Sequence, residues 1–373
     1  MPLKSQLEIS MIKQLNRKRI TTKIIRNISD IKYLLNDPEA VFLIQEMSQP
    51  LAESISFCNH HNIPVIVLHT ANNLIPFLTF SGVYGHPYEN SRMILKYCAG
   101  AGKSRLALFA FNNVFIDRNY AEAIYNLYPS FQQKDLYQII YSFDDCFNSF
   151  YPNRCDYDSI LFANDFVAVA FMKKMQQLDP DYINNHFLIG ISDSFISKLF
   201  FTTITSITYN RNDIVYAVAS IYRSVLRNRK HLVCVNYLLP PELFIRESTQ
   251  NNPLPAFNNS LSLVTDIRKP GLKFEDATLS YFTEPVLHQI SMLENMFSSF
   301  NKQDFQILLY MLNGMTNNEI SAKLFITLQT LQYHMHQMFI HTGTANKREF
   351  IKLVSKYVSR ANLEKYLKDP IFS

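Results

Sequence analysis

From about residue 20 onward, short uninterrupted apolar runs alternate with stretches in which apolar residues recur every three or four positions. The runs cover 20–26, 41–47, 63–70, 105–111, 136–143, 159–164 and 187–192, with shorter ones at 205–210 and 231–239; helical spacing marks 51–61, 87–99, 117–128, 166–178 and 211–228. Runs that are apolar throughout predict strands buried on both faces of a parallel sheet. Strands alternating with helices predict an α/β architecture. The pattern is too long for one doubly wound sheet, so residues 1–249 are expected to form two lobes with a ligand cleft between them.

The pattern changes after residue 249. Residues 249–280 are rich in Pro, Asn and Gly and read as a linker with one short strand. Residues 281–297 read as a helix with Val286, Leu287, Ile290, Leu293 and Met296 or Phe297 on one side, able to couple domains or to form a dimer contact. A connecting segment over 250–296 and a small all-α domain over 297–373 are therefore expected. In that domain four short apolar stripes follow one another: Ile307, Leu308, Met311 and Leu312; Ile320 and Leu324; Leu331, Met335, Met338 and Phe339; Phe350, Ile351 and Val354. Thr316 and Glu319 have capping-box spacing, Asn346 and Glu349 repeat it, and Asn301 and Asp304 approximate it. Thr327 can cap the third helix, and Gly314 sits where the first must stop. Only Phe325, Ile326 and Thr327 separate the second helix from the third, a turn short enough for a helix-turn-helix.

With those landmarks in place (Gly314, Asn317, Glu319, Ile320, Leu324, Ile326, Thr330, His334, Gly343, Asn346 and Glu349), residues 300–349 resemble, without a gap, the DNA-binding domain of the LuxR family of transcription regulators. The resemblance implies that the third helix enters the major groove of double-stranded DNA. Its base contacts would fall on Gln332, Tyr333 and His336, with Gln329 a further candidate. Lys347 and Arg348 would meet phosphates, and Asn318, Thr330 and His341 lie at or near other backbone-contacting positions. Relatives often carry Lys or Arg where this chain has Gln332 and His336. Gln pairs with adenine N6 and N7, whereas Lys and Arg favour guanine, so the non-specific electrostatic contribution should be small. His334 is expected to be a packed structural histidine.

Charge is unevenly placed. The net charge is +5 over 373 residues; residues 1–26 hold seven Lys/Arg against Glu8, and residues 297–360 hold seven against three Asp/Glu, which leaves the middle acidic. That distribution suits a sensor body carrying a basic reader; the basic N-terminal stretch reads as a solvated helix face. Five cysteines without a C-x-x-C pair or a Cys/His cluster imply packed thiols in a reducing compartment, and no metal or cofactor. No apolar run is long enough to span a membrane, and the N-terminus lacks the apolar core of a signal peptide, so a cytoplasmic protein is expected.

In the body, Asn164-Asp165 and Ser192-Asp193 stand where strands give way to helices, followed by a Thr-Ser-Ile phrase at 205–207 and an Ile-Arg-Glu-Ser-Thr phrase at 245–249. In this order they resemble the effector-binding core of the LacI/GalR regulators, itself similar to periplasmic sugar-binding proteins, over roughly residues 5–249. The resemblance implies a small carbohydrate-like effector and a homodimer. The ligand candidates are Tyr84, Asn113, Arg118, Asp165 and Asp193, carboxylates and Arg gripping polar groups while a ring stacks on the apolar face. Capping of the following helices is the structural alternative for Asp165 and Asp193. Ser192 replaces an acidic residue of the family, and a helical pattern near Ser5 stands where the family has a strand. Both features favour a second reading, in which the sensor-like part serves dimerisation or a protein partner. A transporter's solute-binding protein would need an export signal and leaves the helix-turn-helix unexplained.

Residues 99–104 (Ala-Gly-Ala-Gly-Lys-Ser) imitate a phosphate loop, but position 97 is Tyr rather than Gly and a helix precedes the segment, so it reads as a helix stop. No nucleophile–base or metal-protease motif occurs. The expectation is a transcription regulator and not an enzyme.

Overall fold

The computed structural model describes residues 11–22, 41–44, 49–68, 78–112, 114–228, 234–254, 271–274 and 283–369. Most of the expected strand at 20–26, the ends of the runs at 41–47, 63–70 and 231–239, and most of the linker lie outside these residues. The chain divides into two compact units, one from Lys4–Asn90 and Tyr209–Glu242, the other from Ser91–Thr208 and Leu243–Ser373.

The first unit is a four-stranded parallel sheet in the order β1 (Phe42–Ile44), β2 (Val65–Leu68), β3 (Ser81–Gly85), β9 (Asn236–Leu239). Successive side chains of a strand point to opposite faces. Accordingly Ile66 and Leu68 of β2 pack with Met11 and Leu15 of α1 (residues 11–17) and with Ile214, Val218 and Ile221 of α9 (Arg211–Arg227). Val65 and Val67 face Ile55 and Cys58 of α2 (Gln49–His60). Both faces are covered, which is why β2 is apolar throughout. β3 is a strand that its sequence, Ser-Gly-Val-Tyr-Gly, hides. Gly85 is required in it: a Cβ there would lie 1.6 Å from the Tyr209 ring.

In the second unit six strands run in the order β10 (Pro241–Phe244), β8 (Thr205–Tyr209), β7 (Phe187–Ile191), β6 (Ser159–Phe162), β4 (Leu106–Phe111), β5 (Leu136–Ile139). The pairs β8–β7, β7–β6, β6–β4 and β4–β5 are parallel. One face packs Phe109, Phe111, Ile160, Phe162 and Leu188 against α5 (Phe143–Phe150), α6 (Asp165–Leu178), α7 (Pro180–Asn185) and α8 (Phe195–Leu199). Also packed against these strands are α3 (Pro87–Gly100), whose Tyr97 stacks on Phe187 of β7, and α4 (Phe115–Leu127), which lies along β4. The expected strand 136–143 stops at Ile139 because Ser142 caps α5 by accepting from Asp145 N. The phosphate-loop mimic is a turn: Gly102 has φ +72° and Lys103 N donates back to Cys98 O.

The helical part follows in the same unit: α10 (Pro285–Ser299), α11 (Lys302–Leu312), α12 (Asn317–Leu324), α13 (Leu328–Thr342), α14 (Lys347–Val354) and α15 (Arg360–Leu367). Its core is continuous with that of the sheet. Leu287, Ile290, Leu293 and Met296 of α10 belong to the same buried cluster as Phe195 and Ile196 of α8 and as Leu331 and Met335 of α13. Phe305 of α11 and Tyr366 of α15 both meet the Phe195 ring, at 5.9 Å each. Ser359 N donates to Leu199 O at 2.8 Å. A buried carboxylate completes the join: Glu294 of α10, 1% exposed, accepts from Phe195 N and Ile196 N, both at 2.9 Å. Its charge is masked in the sequence by the apolar helix that carries it.

Candidate nucleic-acid interface and sensor residues

Capping sets the helix-turn-helix. Asn301 and Asp304, and Thr316 and Glu319, form reciprocal capping boxes, and Thr327 and Asn346 accept from Thr330 N and Glu349 N. Each side chain satisfies an amide that the first helical turn leaves open. Gly314 and Gly343 end α11 and α13 in the left-handed region, at φ +77° and +63°. α12 ends on Phe325, which takes the same region at φ +55° with its ring 96% exposed. His334, on the inner side of α13, binds Asp304 Oδ1 through Nδ1 at 2.6 Å and so ties the third helix to the first.

The opposite side of α13 faces solvent. Gln329, Thr330, Gln332, Tyr333, His336 and His341 are all exposed, as are Asn318 at the start of α12 and Arg348 on α14. Lys347 is turned inward. Its Nζ donates to Met315 O at 2.7 Å and to Asn317 Oδ1 at 3.1 Å, and burial holds its pKa below the usual lysine value. In this structure the ammonium expected to meet a phosphate braces α14 to the turn before α12.

Of the expected effector residues, Tyr84 belongs to the first unit and Arg118, Asp165 and Asp193 to the second. Tyr84, 7% exposed, lies in the first unit against Gly82, where an added Cβ would meet its ring at 2.6 Å. Asn113 lies outside the described residues. Arg118 Nε donates to Asn112 O, and its guanidinium stacks on Phe274 at 5.2 Å. Asp165 is fully buried and offers no surface to a ligand: Ser194 N (2.8 Å), Ser194 Oγ (2.9 Å) and Ser206 Oγ (2.7 Å) all donate to it. Desolvation raises its pKa to about 6 against these donors. Nor does it cap; Asn164 accepts from Phe166 N, and Ser194 rather than Asp193 caps α8. Asp193 is paired with Arg246 and with Lys198 Nζ (2.7 Å). Ser192 and Asp193 hold φ +112° and +51°, a strained pair of non-glycine residues at the carboxyl end of β7.

Two residues at strand ends escaped the sequence reading. Asn112, just after β4, is 1% exposed and its side-chain amide finds no partner among the described residues. Tyr141, after β5, is 78% exposed. In open parallel sheets ligands gather at this end of the strands, the signal that could have singled these two out. The cysteines are free. Cys58, Cys98 and Cys146 are buried, with burial pushing Cys58 up to about 11 and Cys98 to about 12, but Cys155 and Cys234 are exposed, contrary to the expectation of packed thiols throughout. Among the described residues no helix is long and apolar enough to cross a membrane.

Residues 298–354 match the sequence model of the luxR family of bacterial regulatory proteins (GerE). No curated protein sequence matches the chain. Several solved structures share its fold. A transcriptional regulator CelR–cellobiose complex is 15% identical, covering 66% of this chain and 79% of its own, with a TM-score of 0.51. The lac repressor dimer bound to operator and the anti-inducer ONPF is 15% identical, covering 67% and 90%, at 0.53. A regulatory protein of the LacI family from Chloroflexus aggregans is 15% identical, covering 66% and 92%, at 0.52. The chain thus joins a LuxR-family helix-turn-helix to an α/β body with the fold of the LacI-family regulators.

Proposed function

We infer that this protein is a ligand-responsive transcription regulator that binds double-stranded DNA as a homodimer in the cytoplasm. The observation that carries the reading is the solvent-facing row Gln329, Gln332, Tyr333 and His336 on a capped third helix within the luxR-family match. Polar side chains spaced along such a helix reach base edges in the major groove. The body's fold, shared with the cellobiose-bound CelR, supports a carbohydrate-like effector. Its contacts are assigned to Asn112, Tyr141 and Asp193, which follow the carboxyl ends of the second unit's strands, and to Arg118 in the first turns of α4. An effector hydroxyl that competes for Asp193 would release Arg246 or Lys198 and relax the strained turn before α8.

Thermal unfolding against monosaccharides, disaccharides, sugar phosphates and nucleosides tests the sensor part. A ligand at 100 times its dissociation constant adds about 2.7 kcal/mol to the native state. A reproducible shift with one class supports the reading. A flat response favours the second reading, a body that serves dimerisation or a protein partner, for which the engagement of Asp193 and the burial of Asp165 and Tyr84 speak.

A further inference from the structure

The reading helix carries no lysine, arginine or carboxylate: α13 runs Leu-Gln-Thr-Leu-Gln-Tyr-His-Met-His-Gln-Met-Phe-Ile-His-Thr. The nearest cations in sequence are both engaged by the protein: Lys323 lies over the Tyr310 ring at 4.7 Å, and Lys347 is hydrogen-bonded to Met315 O and Asn317 Oδ1. At the tip of the turn, where a charged or small residue would cost nothing, stands Phe325. Its ring is 96% exposed, on a backbone that an aromatic residue rarely adopts. Leu328, three residues on, is 43% exposed. Two apolar side chains thus stand in water at the leading end of the helix, continuous with Gln329 and Gln332.

Resting on the reading of α13 as the DNA contact, we propose that the half-site core is made of A·T pairs, recognised by thymine methyls against Phe325 and Leu328 and by adenine edges against Gln329 and Gln332. In the major groove only thymine presents a methyl group, and adenine alone offers N7 with the N6 amino group in the pattern a Gln amide complements. Guanine, with two acceptors, calls for a fork of donors that this face does not supply. The stretch from Leu328 to His336 rises about 12 Å, which at about 3.4 Å per base pair sets the core at three to four pairs. With phosphate contact left to Arg348 and few other cations, the affinity depends only shallowly on salt. About two contacts per reader give a slope of log K on log salt near −4 for a dimer.

The test is selection of the full-length protein on randomised duplexes, followed by titration of the winning site with deoxyuridine in place of core thymidine. Enrichment of A·T cores and a loss of affinity of about threefold or more on removing the thymine methyls supports the proposal. In Phe325→Ala combined with Leu328→Ala that loss should vanish, an outcome a merely structural role for these residues does not produce. A G·C core, or equal affinity for thymidine and deoxyuridine sites, overturns it. No selection of any sequence by a protein with an intact circular dichroism spectrum overturns the DNA reading itself, and the specificity proposal with it.

Discussion

Replacing Glu294 by Ala removes the acceptor of two backbone amides that the surrounding core seals from water. Each buried donor left without a partner costs about 1–3 kcal/mol, so about 2–6 kcal/mol of stability is at stake. The carboxylate also carries a penalty of its own. Burial raises its pKa from 4.5 to about 7, against the pull of the Phe195 and Ile196 amides and of Lys198. A carboxyl whose pKa is higher in the folded state contributes stability that is fully present below the unfolded value and lost as pH rises through the folded one. Between pH 5 and pH 8 that loss is on the order of 2–3 kcal/mol; Asp165, raised from 3.8 to about 6, acts in the same sense. The Ala variant lacks the Glu294 titration, so its deficit relative to the parent should be largest near pH 5 and shrink towards pH 8. Glu294→Gln keeps an acceptor for one amide, cannot ionise, and should lose this part of the pH dependence. Urea unfolding followed by circular dichroism reads both, since the chain has no tryptophan. A deficit below about 1 kcal/mol at pH 5, or one that does not change with pH, would refute the account of this carboxylate as the join between the sheet and the helices.

Gly190→Ala places a Cβ 2.1 Å from Asp165 Oδ1, an oxygen already fixed by Ser206, and should cost about 1–3 kcal/mol or more by overpacking, seen as a lower melting temperature. Lys347→Met should destabilise the protein by about 1–2 kcal/mol yet leave the salt slope of DNA binding unchanged; a slope shallower by about 0.9 per reader would make Lys347 a phosphate contact after all. Gln332→Ala combined with His336→Ala should abolish specific binding while the far-ultraviolet spectrum stays that of the parent, and retained site selection would remove both residues from the reading face.

What the sequence made legible is what neighbours along the chain decide. Capping spacings, glycine stops and apolar stripes located α11 to α14, and unbroken apolar runs located β2, β4, β6 and β7, because their hydrogen bonds and buried faces follow from a few adjacent residues. β3 was hidden because two of its five residues are glycines, kept for close approaches that only the folded neighbours reveal. The partners that hold the expected site side chains are distant along the chain. Asp165 has the look of a ligand carboxylate until Ser194 and Ser206 close on it. Lys347 has the look of a phosphate contact until Met315, more than thirty positions earlier, takes its ammonium. Glu294 gave the least warning, since nothing in its helix announces that two amides a hundred positions away require it.

The shared core also limits how this protein can be taken apart. The luxR-family match ends at residue 354, yet Tyr357 and Leu363 beyond it, and Leu287, Ile290 and Leu293 before it, are buried in the same cluster. A fragment cut at the family boundaries would carry an apolar wound on the side where α8 and α10 had been, the kind of patch that drives aggregation. Grafting this reader onto another sensor therefore means transplanting α10 and α15 as well and supplying a surface that presents two free amides to Glu294. The module that recombines as a short helical domain elsewhere has here become part of its host.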